Sequence, residues 1–167
     1  MFDTADDFIR RDPALQYRYQ VLLFHTGYKA VRVYRKSHYL WTHGHPFLAQ
    51  LLATHSKRKT GIDIHPGATI GKNLVIDHGV NVVIGEETVI GDDVTIYQGV
   101  TLGARCAVKD GVRRHPTIGD RVLIGAGAKV IGNIHIGQDS KIGANAVVLQ
   151  DILAGQTVVG IPARVVS

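Results

Sequence analysis

The stretch TIGDRVLIGAGAKVIGNIHIGQDSKIGANAVV, from Thr117 to Val148, places an aliphatic residue at every sixth position. These residues are Ile118, Ile124, Val130, Ile136, Ile142 and Val148. A period of six matches neither the 3.6-residue period of a helix nor the two-residue alternation of a strand. It is typical of a parallel β-helix, in which each hexapeptide forms a short strand and a corner and three hexapeptides make one triangular coil. The sequence therefore predicts a mainly β fold.

The same period extends toward the N-terminus, with one shift of phase and one break. The earlier series comprises Ile64, Ile70 and Ile76 and then, after a shift of two residues, Ile84, Ile90, Ile96 and Leu102. Glycine follows many of these residues, where it relieves crowding at a corner. A small or β-branched residue often lies four positions after the aliphatic one, at Ala68, Val80, Thr88, Val94, Val100, Ala128, Ser140 and Ala146.

The break between the two series is predicted to project as a loop. It covers residues 103–116, GARCAVKDGVRRHP, and interrupts an otherwise regular coil. Long loops on rigid scaffolds are frequently functional. We therefore expect residues 61–167 to form the β-helix domain, with this loop standing out from it.

The first 60 residues have a different pattern and are predicted to be α-helical. Three segments, 12–24, 27–44 and 45–60, are interpreted as helices. In the second, Val31, Tyr34, His38 and Trp41 recur at spacings of three and four, which places them on one helix face. The third has Pro46 near its start and basic residues at its end, as a helix prefers.

Composition restricts the functional classes. The chain has 167 residues, a formal net charge of +5 and a pI near 9.5, which suits an anionic partner such as a phosphorylated cofactor. Its basic residues are spread out, so we expect no nucleic-acid-binding face. Cys106 is the only cysteine and can form no disulfide within the chain. No apolar run approaches the ~20 residues of a membrane span, and the polar, acidic start is unlike a secretory signal. We expect a cytoplasmic protein that is not bound to a membrane.

Asp63 and His78 form a candidate acid–base pair. They are 15 residues apart, nearly one coil of eighteen, and the phase shift falls just after His78. A carboxylate beside an imidazole fixes its tautomer and raises its basicity, which favours a general base. The alternative is a corner aspartate that accepts backbone amide hydrogens and a histidine that is simply exposed. The spacing leaves both open.

The loop supplies a second candidate group in RRHP, Arg113 to Pro116. Two arginines and a histidine on a projecting loop suggest a site that closes over an anionic group. A solvated basic loop is the alternative.

Several segments together resemble the serine O-acetyltransferases. They are DIHPGATIGKNLVIDHG, VVIGEETVIGDDVTIYQGVTLG, RHPTIGDRVLIGAGAKVIGNI and GIPARVV, preceded by RDPALQYRYQVLLFHTGYKAVRVYRKSHYLW. The resemblance covers roughly residues 8–166 and implies a left-handed parallel β-helix. It also implies transfer of acetyl from acetyl-CoA to the hydroxyl of L-serine, the first step of cysteine synthesis.

The resemblance assigns roles to particular residues. It implies that His78 is the general base and that Asp63 is its partner. The implied serine-binding residues are Asp12, Asp77, Arg114 and His115. These residue types suit a zwitterion, because carboxylates attract its ammonium group and a guanidinium can hold its carboxylate in bidentate form. His115 is also a candidate donor to the oxyanion.

The coenzyme is expected in the groove between neighbouring β-helices, as in relatives. Ala126 and Ala144 match small positions beside the pantetheine arm, and Lys141 and Arg164 are candidate phosphate partners. No metal is expected. Two departures bear on the site: GARCA at Gly103 replaces the usual GGTGK, and Arg113 precedes RHP where relatives often have Asp or Lys.

The resemblance also sets expectations for assembly and regulation. We expect a homotrimer, with L-cysteine as a competing feedback inhibitor. Because the chain stops at Ser167 and lacks most of the N-terminal helical domain of longer relatives, we expect neither hexamers nor docking to cysteine synthase.

Three other functions are considered. An acetyltransferase for another hydroxyl acceptor, such as a related amino acid, a sugar or an antibiotic, is the main alternative. A zinc lyase of the γ-carbonic anhydrase type needs two histidines five residues apart, whereas Asp120 lies five residues after His115. A non-catalytic scaffold needs none of the candidate site residues.

Overall fold

The structure is a computed structural model that describes residues 5–12, 14–105 and 113–167. In these described ranges, four helices come first and fifteen short strands follow. The helices are α1 (Ala5–Arg11), α2 (Arg18–Phe24), α3 (Thr26–Thr42) and α4 (Pro46–Thr60). In the sequence, α3 and α4 correspond to the second and third predicted helices. The first prediction was too long, since α2 is the only helix among the described residues of 12–24, and α1 was not predicted.

The strands form three sheets, which are the faces of a triangular prism. Face A contains β1 (Asp63–Ile64), β4 (Val83–Ile84), β7 (Thr101–Gly103), β10 (Lys129–Ile131) and β13 (Val147–Val148). Face B contains β2 (Thr69–Ile70), β5 (Val89–Ile90), β8 (Thr117–Ile118) and β11 (His135–Ile136). Face C contains β3 (Val75–Ile76), β6 (Thr95–Ile96), β9 (Leu123–Ile124), β12 (Lys141–Ile142), β14 (Thr157–Val159) and β15 (Arg164–Val165). The predicted left-handed β-helix with preceding helices is confirmed.

The strand register measures the length of each coil. Lys129 pairs with Val147, eighteen residues later, as the six-residue period predicts. Asp63 pairs with Val83, so the first coil has twenty residues and contains the two-residue phase shift. Thr101 pairs with Lys129, so the coil that contains the predicted loop has twenty-eight. Residues 106–112 of that loop lie outside the described residues.

The core is the stack of aliphatic residues that the period identified. Every member of both series is at most 7% exposed, and burial of each such side chain contributes about 1.5–3 kcal/mol. The small or β-branched position that accompanies each aliphatic residue moves by two residues at the phase shift. Val82 is buried there, whereas Val80, the predicted residue, is exposed. Within the described residues, no helix is long and apolar enough to cross a membrane.

The helices cover the first coil. Val31 and Tyr34 of α3 are buried in the same core as the β-helix, and the hydroxyl of Tyr34 donates to the carbonyl of Ala68 at 2.6 Å. A second, smaller cluster joins α1 to α2, α3 and β3. It comprises Ala5, Phe8, Val21, Tyr28 and Val75. These contacts hold the end of α1 beside the end of β3, where the candidate site begins.

Candidate active site

Asp77 and His78 lie at the corner between face C and face A, directly after β3. His78 has φ +56° and Gly79 has φ +79°, so the chain makes a left-handed turn here. The NH of Gly79 donates to the carbonyl of Asp77 at 2.6 Å. The two extra residues of the first coil allow this departure from the regular corner and leave the imidazole of His78 exposed. The corner therefore presents a histidine to solvent.

The N-terminus of α3 is packed directly against this corner. A Cβ atom on Gly27 would lie 1.9 Å from the carbonyl oxygen of Ile76, so only glycine permits the approach. The hydroxyl of Thr26 donates to the carbonyl of His78 at 3.1 Å. The helix thereby fixes the position of the Asp77–His78 backbone.

Asp12, His25 and Asp77 converge beside His78. Each offers one carboxylate oxygen or ring nitrogen within 4.8 Å of the others. Asp12 follows α1, and its carboxylate accepts from the NH of Ala14 at 2.9 Å. His25 caps α3, where Nδ1 accepts from the NH of Tyr28 at 3.3 Å. Two carboxylates and an imidazole thus meet at one corner.

The bond to Tyr28 determines the tautomer of His25. Because Nδ1 accepts a hydrogen, the proton of the neutral ring is on Nε2. Burial lowers the pKa of His25, and the neighbouring charges of Asp77 and Asp12 partly offset this effect. His25 therefore contributes an uncharged N–H donor beside two carboxylates.

Asp63 lies on face A, and its carboxylate accepts from Nζ of Lys57 at 2.7 Å. Within the described chain no hydrogen bond joins it to His78. The ladder partner of Asp63 is Val83, five residues after His78. The general-base pair stays a prediction.

Arg114 and His115 lie at the opposite edge of face A, at the corner that leads to face B. Both are held by Glu87: its Oε2 accepts from the NH of Arg114 at 2.9 Å and from Nδ1 of His115 at 3.2 Å. The bond from the NH of Arg114 is the main cause that lowers the pKa of Glu87, and the bond from His115 adds to it. His115 is 6% exposed and packs on Gly85, where a Cβ would lie 2.2 Å from its ring.

His65 lies at the same edge as His115, two coils earlier. Its Nδ1 accepts from the NH of Gly67 at 3.1 Å, and Trp41 meets its ring edge-on at 5.1 Å between centroids. Burial is the main cause that lowers the pKa of His65, and Glu86 and Asp63 oppose it. The contact with Trp41 ties this edge to α3.

The residues assigned to the coenzyme lie on face C and its corner with face A. Ala126 and Ala144 follow β9 and β12 at the corner that His78 also occupies, in later coils. Lys141 is exposed in β12, and Arg164 is exposed in β15. A line of small residues therefore extends along the edge that begins at His78.

The predicted serine-binding residues consequently form two groups on one chain. Asp12 and Asp77 lie at one edge of face A, and Arg114 and His115 lie at the other. A whole face of the β-helix therefore lies between the two groups of a single chain.

Two residues of the site were missed in the sequence. His25 lies outside the repeat and between two helices, so no periodicity marked it. Glu87 occupies a corner position in GEET, where a charged residue is ordinary in a hexapeptide repeat. The pair of acidic residues after Gly85 was the one feature of the sequence that could have indicated Glu87.

Sequence profiles of two hexapeptide families match the β-helix. "Bacterial transferase hexapeptide (six repeats)" matches residues 115–150, and "Hexapeptide repeat of succinyl-transferase" matches residues 81–112. The fold and these matches define a hexapeptide-repeat transferase.

Full-length relatives give the particular family. A serine acetyltransferase of Helicobacter pylori is 52% identical over 95% of this chain and 92% of its own. Soybean serine acetyltransferase, solved in complex with serine, has a TM-score of 0.93 and 44% identity over 97% of this chain and 66% of its own. This chain belongs to the serine acetyltransferase family, whose members are acetyl-CoA-dependent acyltransferases.

Two further serine acetyltransferase structures contain other ligands. One, in complex with cysteine, has a TM-score of 0.93 and 43% identity over 98% of this chain and 63% of its own. The other, in complex with CoA, has a TM-score of 0.91 and 42% identity over 97% and 66%. Acetyl-CoA is accordingly the co-substrate of the family.

Proposed function

We propose that this chain transfers acetyl from acetyl-CoA to the hydroxyl of L-serine, giving O-acetyl-L-serine and CoA, with His78 as the general base. The observation that carries the proposal is the corner where the Asp12 and Asp77 carboxylates converge beside the exposed His78. Two carboxylates suit the ammonium group of an amino acid. An imidazole beside them can accept the proton of the hydroxyl as its oxygen attacks the thioester carbonyl.

The reaction proceeds by addition and elimination. The serine oxygen forms a bond to the carbonyl carbon, and His78 takes the hydroxyl proton. The oxyanion of the tetrahedral intermediate needs a donor. His115 is proposed for that role in its doubly protonated form, because Glu87 already accepts from Nδ1 and only Nε2–H is left to donate. The C–S bond then breaks, and the proton held by His78 passes to the departing sulfur.

A complete site requires two subunits of a homotrimer. The support is the separation of Asp12 and Asp77 from Arg114 and His115 at opposite edges of face A. In a cyclic assembly, one edge of each subunit can face the other edge of its neighbour. Arg114 of one subunit would then bind the serine carboxylate while Asp77 of the next binds the ammonium group.

The coenzyme is proposed to lie along the edge that carries Ala126 and Ala144. Small side chains there let the pantetheine arm approach the backbone, and the edge leads to His78. Lys141 and Arg164 are exposed on the adjacent face, where they can meet the phosphates of CoA.

L-cysteine is proposed as a competitive inhibitor. It carries the same ammonium and carboxylate groups as serine, and a relative was solved in complex with cysteine. A cytoplasmic location is also proposed, since acetyl-CoA and serine are both available there. The absence of docking to cysteine synthase stays a prediction.

Thiol release from acetyl-CoA, measured with L-serine, L-homoserine and amino sugars as acceptors, tests the proposal. We expect the highest kcat/KM with L-serine and a loss of about 10²–10⁴ in kcat for His78→Ala. His55→Ala, on the exposed surface of α4, is the matched control. Release that is equally fast without serine, or a fully active His78→Ala enzyme, would refute it.

A further inference from the structure

Glu87 contacts three consecutive residues at the end of the 103–116 segment. Its backbone carbonyl accepts from Nη2 of Arg113 at 2.9 Å. Its carboxylate oxygen Oε2 accepts from the NH of Arg114 and from Nδ1 of His115. Arg113, Arg114 and His115 are thus attached to one residue of the preceding coil.

The hydrogen bond to Glu87 determines which ring nitrogen of His115 carries the hydrogen. Since Nδ1 faces a carboxylate, Nδ1 carries a hydrogen, and in the neutral ring Nε2 is the unprotonated nitrogen. The other side of the ring is against Gly85, where a Cβ would lie 2.3 Å from Nε2. The ring is therefore held by the Glu87 carboxylate at Nδ1, and Nε2 packs against Gly85, which has no side chain to block it.

The same oxygen holds the backbone at Arg114. A hydrogen bond to an ionised acceptor is stronger than one between neutral groups. The charge of Glu87 is stabilised at neutral pH, because both donors lower its pKa. The guanidinium of Arg114 then extends from a backbone that is fixed at its own NH.

We infer that Glu87 is a positioning residue for the acceptor site, acting through Arg114 and His115 and not by contact with serine. This inference rests on the proposed function, in which those two residues bind the serine carboxylate and face the reacting carbonyl. Glu87 lies outside the RHP segment and is connected to it only by the fold.

Kinetics of Glu87→Ala and Glu87→Gln test the inference in the full-length enzyme. Loss of a charged acceptor of two hydrogen bonds is expected to lower kcat/KM for serine about 10- to 100-fold in Glu87→Ala, with KM for acetyl-CoA near wild type. Glu87→Gln keeps one acceptor oxygen and should recover part of the loss.

Asp139→Asn is the matched control. Asp139 also lies at a corner and accepts two hydrogen bonds from one partner, Arg121, at 2.7 and 2.8 Å. That pair is half-exposed and lies outside the candidate site. We expect Asp139→Asn to keep the wild-type kcat/KM for serine.

Nitrogen-15 NMR of the His115 ring, assigned with a His115→Ala variant, gives a readout independent of activity. Wild type should show hydrogen on Nδ1, and Glu87→Ala should show a mixture of tautomers. If wild type failed to acetylate serine while the tautomer still changed, the proposed function would fall and the positioning of His115 would stand. An active Glu87→Ala enzyme with wild-type kcat/KM and an unchanged tautomer would overturn the inference. If Glu87→Ala does not fold, a wild-type kcat/KM in Glu87→Gln overturns it instead.

Discussion

Lys57 at the end of α4 donates a hydrogen bond of 2.7 Å to the carboxylate of Asp63 at the start of the β-helix. Both side chains are substantially exposed, so the pair contributes little to stability, about 0–1 kcal/mol. The same carboxylate is the proposed partner of His78. Lys57 and His78 are therefore alternative partners for one carboxylate.

Substitution at each end of this pair separates the two roles. If Asp63 orients His78 in the assembled enzyme, Asp63→Asn should lower kcat substantially, while Lys57→Gln should leave kcat near wild type because it frees the carboxylate. Steady-state kinetics with saturating acetyl-CoA measure both. Equal losses in the two variants would indicate that Asp63 acts by binding Lys57.

Arg114→Lys should raise KM for serine and spare KM for acetyl-CoA. Lysine keeps the charge but loses the planar fork that binds a carboxylate in bidentate form, and we expect an increase of about tenfold or more. Initial rates over both substrates provide the comparison. Equal increases in the two KM values would instead assign Arg114 to the coenzyme.

Mixing two inactive variants tests whether sites are shared between subunits. If each site takes His78 from one subunit and Arg114 from its neighbour, a refolded equimolar mixture of His78→Ala and Arg114→Ala chains should recover about one quarter of the wild-type activity. Native mass spectrometry should show three chains of 18.2 kDa. A mixture with no recovered activity would place both residues in the same subunit's site.

Gly27→Ala should destabilise the protein and weaken the site together. The new methyl group would overlap the carbonyl oxygen of Ile76, and moving α3 away costs about 1–3 kcal/mol or more. Gly155→Ala is the comparison, since Gly155 has φ +75° and open space around it, which predicts about 1–2 kcal/mol from backbone strain alone. Urea unfolding and KM for serine give the two readouts. A rise in KM for serine in Gly27→Ala but not in Gly155→Ala is expected.

Acidification should destabilise the fold through His25. Burial holds its pKa below the ordinary value of 6.5, so the unfolded chain binds more protons near and below that pH. The free energy of unfolding should therefore fall as the pH drops from about 7.5 through 6.5 toward the lowered pKa of the folded state. His25→Gln should flatten this dependence at fixed protein concentration, and the exposed His55→Gln should not. An unchanged slope in His25→Gln would argue against the effect.

The repeat was predictable because every aliphatic residue occupies an equivalent place in the coil. Ile118 and Ile142, for example, are both the buried residue of a short strand. Helix α1 has seven residues and no such repetition, and it depends on the packing of Phe8 against His25 and Tyr28. That packing is tertiary and leaves no pattern in the chain.

The candidate site was predictable at its individual residues and less so in its geometry. Asp77 and His78 are adjacent in sequence, and their place at a corner followed from the phase shift. The spacing between Asp63 and His78 was counted on a coil of eighteen, whereas the register gives twenty. The separation of Asp77 from Arg114 by a whole face also depends on which strand each residue follows, and composition carries no information about that.

The first coil and the coil after β7 are longer than eighteen residues, yet the parallel ladders on either side stay in register. Additional residues are accommodated at corners, where the chain leaves one face before it enters the next, so the lengths of these corners can change independently of the core. Chimeras that exchange only the segment between Gly103 and Pro116 among hexapeptide acyltransferases could therefore be used to redesign acceptor preference on an intact scaffold.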